Sequence, residues 1–252
     1  MHMAGIDLES LIFIGLAFAI GGVLKGATGA GAPIVAVPVL AIFYDVQTAV
    51  ALFVMPNIVS NLIQFVQYRH ANEQPGFTLK FALAGALGAA FGTFLLAFMS
   101  SRFLVLAVGL VIFAYIAFRL FRPDWKLDQP LAEKLVGPFG GLAGILQGAA
   151  GISAPVSVTF LNAMRMDRTQ FIVTISVFFL AMGLVQLPLQ VWFQIMNVER
   201  FIQSCIALLP LTLFLPVGAA IGKTLSPALF DKMVLVILAI LGCKMLFDSM
   251  LA

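Results

Sequence analysis

The most informative stretch of this chain for its fold is GGVLKGATGAGAP, residues 21–33. It lies within an otherwise apolar segment and contains five glycines and one lysine. Both residue types are unfavourable in a helix that crosses a bilayer, because glycine loosens the helix and a lysine at mid-bilayer depth is costly. The stretch therefore predicts an interruption where exposed backbone and positive charge are needed.

The composition identifies a membrane protein. The chain has 252 residues, of which 62% are hydrophobic and 10% charged, and long apolar runs recur along nearly its whole length. We therefore predict an all-α polytopic membrane protein whose partner is the lipid bilayer. The net charge of +3 is small, so no nucleic-acid partner is expected. Cys205 and Cys243 lie in apolar runs without the spacing of a metal or redox site, and we expect them to pack.

The chain contains an internal repeat. A shift of 122 residues superposes GVLKGATGAGAP (residues 22–33) on GILQGAAGISAP (residues 144–155), with seven of twelve positions identical. The same shift superposes Asp45 on Asp167 and LIQ at residues 62–64 on LVQ at residues 184–186. Chance matching in an alanine-rich chain is the alternative, but the register is kept over some forty residues. We predict a duplication.

The duplication defines the domain organisation. Residues 1–122 form the first repeat, residues 123–133 a linker with prolines and mixed charge, and residues 134–252 the second repeat. Both repeats are expected to build one integrated membrane domain.

Charge placement predicts the topology. The apolar segments 10–25 and 32–44 are each shorter than a bilayer core, so they form either one broken helix or a helical hairpin. The hairpin places ten basic residues on one face and three opposite, whereas the broken helix gives eight against five. The ten are Arg69, Lys80, Arg119, Arg122, Lys126, Lys134, Arg165, Arg168, Lys223 and Lys232.

The hairpin model makes the two repeats inverted. Each repeat begins with a Gly-rich helical hairpin followed by three transmembrane helices, and the odd number of segments reverses the second repeat. Both termini are then external, and the two hairpin tips approach the bilayer midplane from opposite faces.

We expect the exposed N–H groups and the helix N-termini at the tips to attract an anion. Lys25 supplies one positive charge, and its repeat equivalent is the neutral Gln147. The alternative is that the small residues only permit close helix packing, with Lys25 extending to an interface. The candidate substrate-binding residues are Lys25, Gly26, Thr28, Gly29, Gly31, Asn57, Asn61, Gln64, Gln147, Gly148, Gly151, Ser153 and Gln186.

Amide side chains form a stripe on one helix. Asn57, Asn61 and Gln64 are spaced four and three residues apart and so share a face. Amides in lipid are costly unless they face the protein interior or a wet cavity, which favours a pathway lining. Amide bonding between helices remains the alternative. Asp45 and Asp167 each precede a helix and are interpreted as N-caps.

The repeated stretches also resemble a known family. GATGAGAPIVAVPVL (residues 26–40) and GAAGISAPVSVTFL (residues 148–161) are similar to the TauE/SafE family of anion permeases, and the resemblance covers essentially the whole chain. Family members commonly carry further glycines where this chain has residues 30–32 and 152–154. The resemblance implies a bacterial inner-membrane exporter of sulfite or an organosulfonate such as sulfoacetate, working by alternating access between the two tips.

Other functions remain open or are excluded. An enzyme is not expected, and neither a metal nor a cofactor, because all eleven acidic residues fall at segment ends or in loops. An anion channel or an uptake permease for a related anion remains the alternative, since the same tips would serve a pore. A purely structural membrane protein would leave the polar stripe unexplained. A homodimer is compatible with the sequence.

The topology is testable by labelling. Single cysteines at Asn72, Asp128 and Arg165, in a background without Cys205 and Cys243, should be shielded from an impermeant maleimide in intact cells. Labelling of Asn72 and Asp128 from outside would contradict the orientation. Opposite labelling of Asn72 and Arg165 would contradict the hairpin model.

Overall fold

The computed structural model describes residues 8–121, 125–222, 235–236, 239–240 and 242–243. Over this part the chain is helical and has no strand, which confirms the all-α prediction. The apolar segment at 229–250 lies almost wholly outside the described residues. The helices are α1 (Leu8–Thr28), α2 (Ala32–Phe43), α3 (Val46–Tyr68), α4 (Pro75–Phe98), α5 (Ser101–Phe121), α6 (Gln129–Ala150), α7 (Ala154–Ala163), α8 (Arg168–Trp192) and α9 (Val198–Ile221).

Four of the described helices are long and apolar enough to cross a membrane. They are α3, extended to Ala71, together with α4, α8 and α9. α2 and α7 are short apolar helices, and α2 corresponds to the predicted short segment 32–44. α1 has 21 residues and α6 has 22, which corresponds to about 32 Å each, so both are longer than the apolar runs alone indicated.

Helix α6 begins at Gln129, inside the segment that we predicted as a linker. Asp128 occupies the N-cap position and Pro130 lies in the first turn, where its fixed φ suits a helix and no N–H is required. The backbone N–H of Leu127 donates to the carbonyl of Ala163 at 2.9 Å, which ties this start to the end of α7. Pro130, one of the prolines on which the linker prediction rested, therefore marks the start of a helix.

Glycines bring α1 and α9 into backbone contact. A Cβ on Gly22 would collide with the carbonyl of Leu211, and a Cβ on Gly26 with that of Leu215. From α9, Gly218 packs in the same way against the backbone of Val23. Since residue numbers rise together along both helices, α1 and α9 are parallel.

Helices α4 and α6 pair in the same manner. A Cβ on Gly88 would meet the carbonyl of Gly141, and a Cβ on Gly144 would meet that of Gly85. Gly148 lies against Ala89, again with residue numbers rising together. Each of these two parallel pairs contains one helix from each half of the chain.

Helices α3 and α8 contact each other in antiparallel orientation at the centre of the described structure. Asn57 donates to the Phe179 carbonyl at 3.0 Å, and the Ser176 hydroxyl donates to Gln64 Oε1 at 3.4 Å. Gly183 lies beside Ile58 on the same surface. Three buried polar side chains, those of Asn57, Gln64 and Ser176, therefore lie at the contact between these two helices.

The caps of α3 and α8 differ. Asp45 accepts hydrogen bonds from the Thr48 N–H at 2.9 Å and the Thr48 hydroxyl at 2.8 Å, so its predicted N-cap role is confirmed. Partial burial alone would raise the pKa of the Asp45 carboxyl, but these bonds and the charge of Arg200 hold that pKa below its ordinary value. Asp167 takes the N-cap position of α8 without a side-chain capping bond.

A proline lies within α3, next to the contact of α3 with α8. Pro56 has no N–H, which leaves the Leu52 carbonyl without its helical donor. The Ser204 hydroxyl of α9 donates to that carbonyl at 2.9 Å and accepts from the Met55 N–H at 3.1 Å. A neighbouring helix thus satisfies the freed backbone groups, as hydrocarbon surroundings require.

The glycine contacts predict an unusual response to alanine. Gly144→Ala and Gly88→Ala should lower thermal stability, although alanine favours a helix by about 1 kcal/mol over glycine, because the added Cβ would force α4 and α6 apart. Gly137→Ala in the same helix α6 is the control, since its Cβ would meet nothing within 4 Å. Fluorescence-detected size-exclusion chromatography after heating provides the measurement. Equal stability of all three variants would contradict the packing argument.

Candidate functional site

The first Gly-rich tip joins α1 to α2. Gly29 has φ of 86°, a conformation that favours glycine, and its N–H donates to the Lys25 carbonyl at 2.6 Å. The Thr28 hydroxyl donates to the Leu24 carbonyl at 2.7 Å and accepts from the Ala30 N–H at 3.3 Å. Gly31 lies against Leu24, where a Cβ would come within 2.8 Å of the Leu24 carbonyl carbon. The start of α2 is therefore packed back onto α1.

The second tip joins α6 to α7 with the same backbone pattern. Gly151 has φ of 70°, and its N–H donates to the Gln147 carbonyl at 2.7 Å. Ser153 occupies the N-cap position of α7 but makes no side-chain capping bond. A Cβ on Gly151 would contact Val50 of α3, and a Cβ on the equivalent Gly29 would contact Ile172 of α8. Each tip thus packs on the long central helix of the other half.

The ammonium of Lys25 is enclosed by protein, with 1% of the residue exposed. Nζ donates to Asn61 Oδ1 at 2.7 Å and to the Gly29 carbonyl at 3.2 Å, and it lies 5.7 Å from the centroid of the Phe179 ring. These partners are all neutral. Within the described ranges, Lys25 is the one charged side chain among the buried polar residues, and it has no acidic partner.

The amide stripe orients the acceptor of this lysine. Asn61 Nδ2 donates to the Asn57 carbonyl at 2.7 Å and to Asn57 Oδ1 at 2.8 Å, which leaves Asn61 Oδ1 for the ammonium. Asn57 Nδ2 in turn donates to the Phe179 carbonyl. A chain of hydrogen bonds therefore runs from Lys25 to the contact between α3 and α8.

Two glutamines make equivalent contacts in the two halves. Gln64 Nε2 donates to the Lys25 carbonyl at 3.5 Å, and Gln186 Nε2 donates to the Gln147 carbonyl at 3.3 Å. Both pairs are 39 residues apart, and each partner differs from its equivalent by the repeat shift of 122. Each glutamine holds the last turn of the helix that precedes a tip.

The predicted site residues beyond those that shape the turns thus divide into four groups. Lys25, Asn57 and Asn61 are bonded together, while Gln64 and Gln186 hold the backbone of the tips. Gly26 and Gly148 face the backbones of α9 and α4, so close helix packing accounts for these glycines. The side chains of Gln147 and Ser153 are buried, and no bond joins them to the lysine cluster.

Sequence reasoning missed a polar group on the first half of α8. Gln170 Oε1 accepts from the Glu73 N–H at 2.6 Å, Gln170 Nε2 donates to the Thr174 hydroxyl at 2.9 Å, and that hydroxyl lies 3.1 Å from the hydroxyl of Thr78. Ser176 of the same helix instead bonds Gln64, whose Nε2 donates to the Lys25 carbonyl. The i, i+4 spacing of Gln170 and Thr174 was a signal that could have revealed it.

Long apolar helices, interrupted tips and an enclosed ammonium define an integral membrane protein with polar chemistry in its interior. The family model described as "Sulfite exporter TauE/SafE" matches residues 13–245, nearly the whole chain. The chain belongs to the TauE/SafE sulfite exporter family, a family of membrane transporters of sulfur anions. This membership confirms the resemblance drawn from the two Gly-rich stretches and agrees with a function other than catalysis. No curated protein and no solved structure matches the chain.

The amide stripe is testable against its packing alternative. Asn61→Leu and Gln64→Leu should reduce transport in proteoliposomes more than they reduce folded yield, because they remove polar groups next to Lys25. Ser60→Ala is the control in the same helix, since Ser60 bonds only carbonyls of α3, those of Pro56 and Asn57. Loss of thermal stability in proportion to activity would identify the stripe as interhelical packing.

Proposed function

We propose that the protein exports a small sulfur-containing anion, sulfite or an organosulfonate such as sulfoacetate, across the bacterial inner membrane. The anion binds near Lys25 and is exposed alternately to the two sides as the Gly-rich tips rearrange. Membership of the TauE/SafE sulfite exporter family supports the transport of a sulfur anion.

The observation that carries this proposal is the uncompensated charge of Lys25. Its ammonium is enclosed, is held by a side-chain amide and a backbone carbonyl, and faces no carboxylate in the described ranges. Keeping a charge away from water is costly unless an opposite charge approaches. A bound anion would supply that charge, and their attraction is stronger here than at a surface.

The helix starts beyond the tips add to the attraction for an anion. α2 begins at Ala32 and α7 at Ala154, each with a proline in its first turn. Helix N-termini carry partial positive charge and unbonded N–H groups. Two such ends in the protein interior suit the oxygens of sulfite or a sulfonate.

We further propose that the halves are inverted repeats built on Gly-rich hairpins. Asn57 donates to Phe179, its own repeat equivalent, and the equivalent helices α3 and α8 are antiparallel there. A residue that contacts its own repeat equivalent lies near the axis that relates the two halves. Because the equivalent helices α3 and α8 are antiparallel, that pseudo-two-fold axis is perpendicular to both of them. If both helices cross the membrane, the axis lies in the membrane plane. This relation is typical of transporters with alternating access.

Contacts between the segments predicted to be cytoplasmic support the proposal that they lie on one side of the membrane. The loop after α3 bonds the start of α8 through the Glu73 N–H and Gln170. Lys80 at the start of α4 pairs with Glu133 at the start of α6 at 2.8 Å. All these segments are cytoplasmic in the proposed topology, with both termini external. A negative interior then favours expulsion of a monovalent anion by about 2.3 kcal/mol per 100 mV.

Removal of the Lys25 charge tests the proposal. Lys25→Gln keeps a hydrogen-bond donor but deletes the charge, so affinity for sulfite or sulfoacetate should fall by about one to two orders of magnitude in calorimetric titration. Lys80→Gln, at a position whose side chain is 62% exposed, is the matched control and should bind as the wild type does. Undiminished affinity of Lys25→Gln would refute the assignment.

The variant Asn61→Asp tests whether anion binding can be lost in a protein that still folds. The new carboxylate would occupy the position of an oxygen that already lies 2.7 Å from Lys25 Nζ, and would neutralise the ammonium. The ion pair with Lys25 stabilises the variant, whereas its second carboxylate oxygen replaces the Nδ2 donor that faces two Asn57 oxygens and lowers stability. We therefore expect a folded protein of somewhat lower thermal stability that has lost anion binding. Wild-type affinity in a folded Asn61→Asp protein would contradict the role of the Lys25 charge.

A further inference from the structure

We propose that Arg168 is a latch on the first tip, a positioning residue that keeps this tip docked on α8 until the tip opens. The inference rests on the proposed function in one respect, because there the tips rearrange during transport and the start of α8 is cytoplasmic. Arg168 then governs the access of the cytoplasm to Lys25.

The first tip docks on the first turns of α8 through two residues of one face. Arg168 and Ile172 are four residues apart, so they lie one above the other on that helix. Arg168 Nη2 donates to the Ala27 carbonyl at 3.0 Å, and a Cβ on Gly29 would lie 3.0 Å from Ile172 Cγ1. Both contacts fall on residues 27–29, so the tip cannot leave α8 without breaking them.

The arginine supplies donors that two helix ends lack. Ala27 lies in the last turn of α1 and Gly222 is the C-cap residue of α9, where carbonyls have no helical N–H to accept from. The guanidinium bonds both carbonyls, at 3.0 Å and 2.8 Å, and its positive charge is favourable at the negative ends of both helices. One side chain thus holds α1, α8 and α9 together beside the tip.

The second tip is docked by different chemistry. The repeat shift of 122 pairs Arg168 with Val46 and Ile172 with Val50. A Cβ on Gly151 would lie 3.3 Å from Val50, and Val46 is buried, so both of these α3 positions are apolar. At the equivalent positions only the first tip is held by a hydrogen-bonding side chain, and that side chain is exposed. Water can therefore take over the bonds of Arg168 when the first tip leaves α8.

Two cationic side chains act on the same short segment of the first tip. Lys25 Nζ donates to the Gly29 carbonyl from the interior, and Arg168 donates to the Ala27 carbonyl from the exposed end of α8. The enclosed lysine binds the anion in the proposed function. The arginine lies on the side toward which this tip opens, so its role is closure.

A cysteine at Ala30 reports whether the tip is docked. Ala30 is 2% exposed and belongs to the same buried apolar cluster as Ile172, so a thiol there reacts with N-ethylmaleimide only when the tip leaves α8. The experiment uses purified protein that carries Ala30→Cys and lacks Cys205 and Cys243. Adding Arg168→Gln should raise the alkylation rate about tenfold, the effect of one lost bond to a charged group. Arg168→Lys keeps the charge and can bond one carbonyl, so the rise should be about threefold.

Two controls separate the latch from loss of charge and from general loosening. Arg165→Gln removes an exposed arginine from the turn before α8 and should keep the wild-type rate at Ala30→Cys. Ile152→Cys, at the repeat equivalent of Ala30, reports on the second tip, where residue 152 is 4% exposed. Its alkylation rate should be the same with Arg168 and with Arg168→Gln.

Equal alkylation of Ala30→Cys with and without Arg168 would overturn this inference. The proposed function would stand in that case, because the titration of Lys25→Gln tests it without involving Arg168. Equal acceleration at both tips would show a loosened fold and would also overturn the latch. If Ala30→Cys does not fold, Thr28→Cys, at a half-buried position of the same tip, replaces it with the same expected rates.

Discussion

A helix that stops inside a membrane protein leaves backbone N–H and C=O groups for which the protein itself must provide partners, and much of this structure follows from that constraint. Both interruptions are enclosed by protein: Gly29 and Gly151 are buried, and each packs on the central helix of the other half. The carbonyls of the preceding turns receive donors from Gln64 and Gln186. The glycines of α1, α4, α6 and α9 bring neighbouring backbones close enough to complete the enclosure.

The same enclosure gives Lys25 its importance. In water, solvent would stabilise an ammonium that bonds only one amide and one carbonyl. Here the ammonium is enclosed, so these neutral dipoles must stabilise its charge without solvent. The amide chain through Asn61 and Asn57 fixes the direction of the acceptor. The protein therefore keeps an ammonium in place without a carboxylate, and a carboxylate is the group that would compete with an incoming anion.

Much of this arrangement could be predicted from the sequence, because it depends on spacing and repetition. The repeat shift identified Gln64 and Gln186 as equivalents, and the helical spacing placed Asn57 and Asn61 on one face. Two features, the roles of individual glycines and the start of α6, could not be predicted from spacing and repetition. Gly26 and Gly148 match between the halves as well as Gly29 and Gly151 do, yet a glycine that admits another backbone looks the same in sequence as one that shapes a turn. The start of α6 was obscured because proline both ends and begins helices.

Arg168 connects α1 and α9, two helices that belong to different halves of the sequence. Its guanidinium donates to the Gly222 carbonyl after α9 at 2.8 Å and to the Ala27 carbonyl of α1 at 3.0 Å, next to the region where Gly22, Gly26 and Gly218 hold these helices in backbone contact. α1 comes from the first half and α9 from the second, and α4 with α6 mixes the halves in the same way. In each of these mixed pairs the backbones of the two helices touch at glycines. Separating the two halves of the sequence would therefore break both pairs, so neither half is a packing unit of its own.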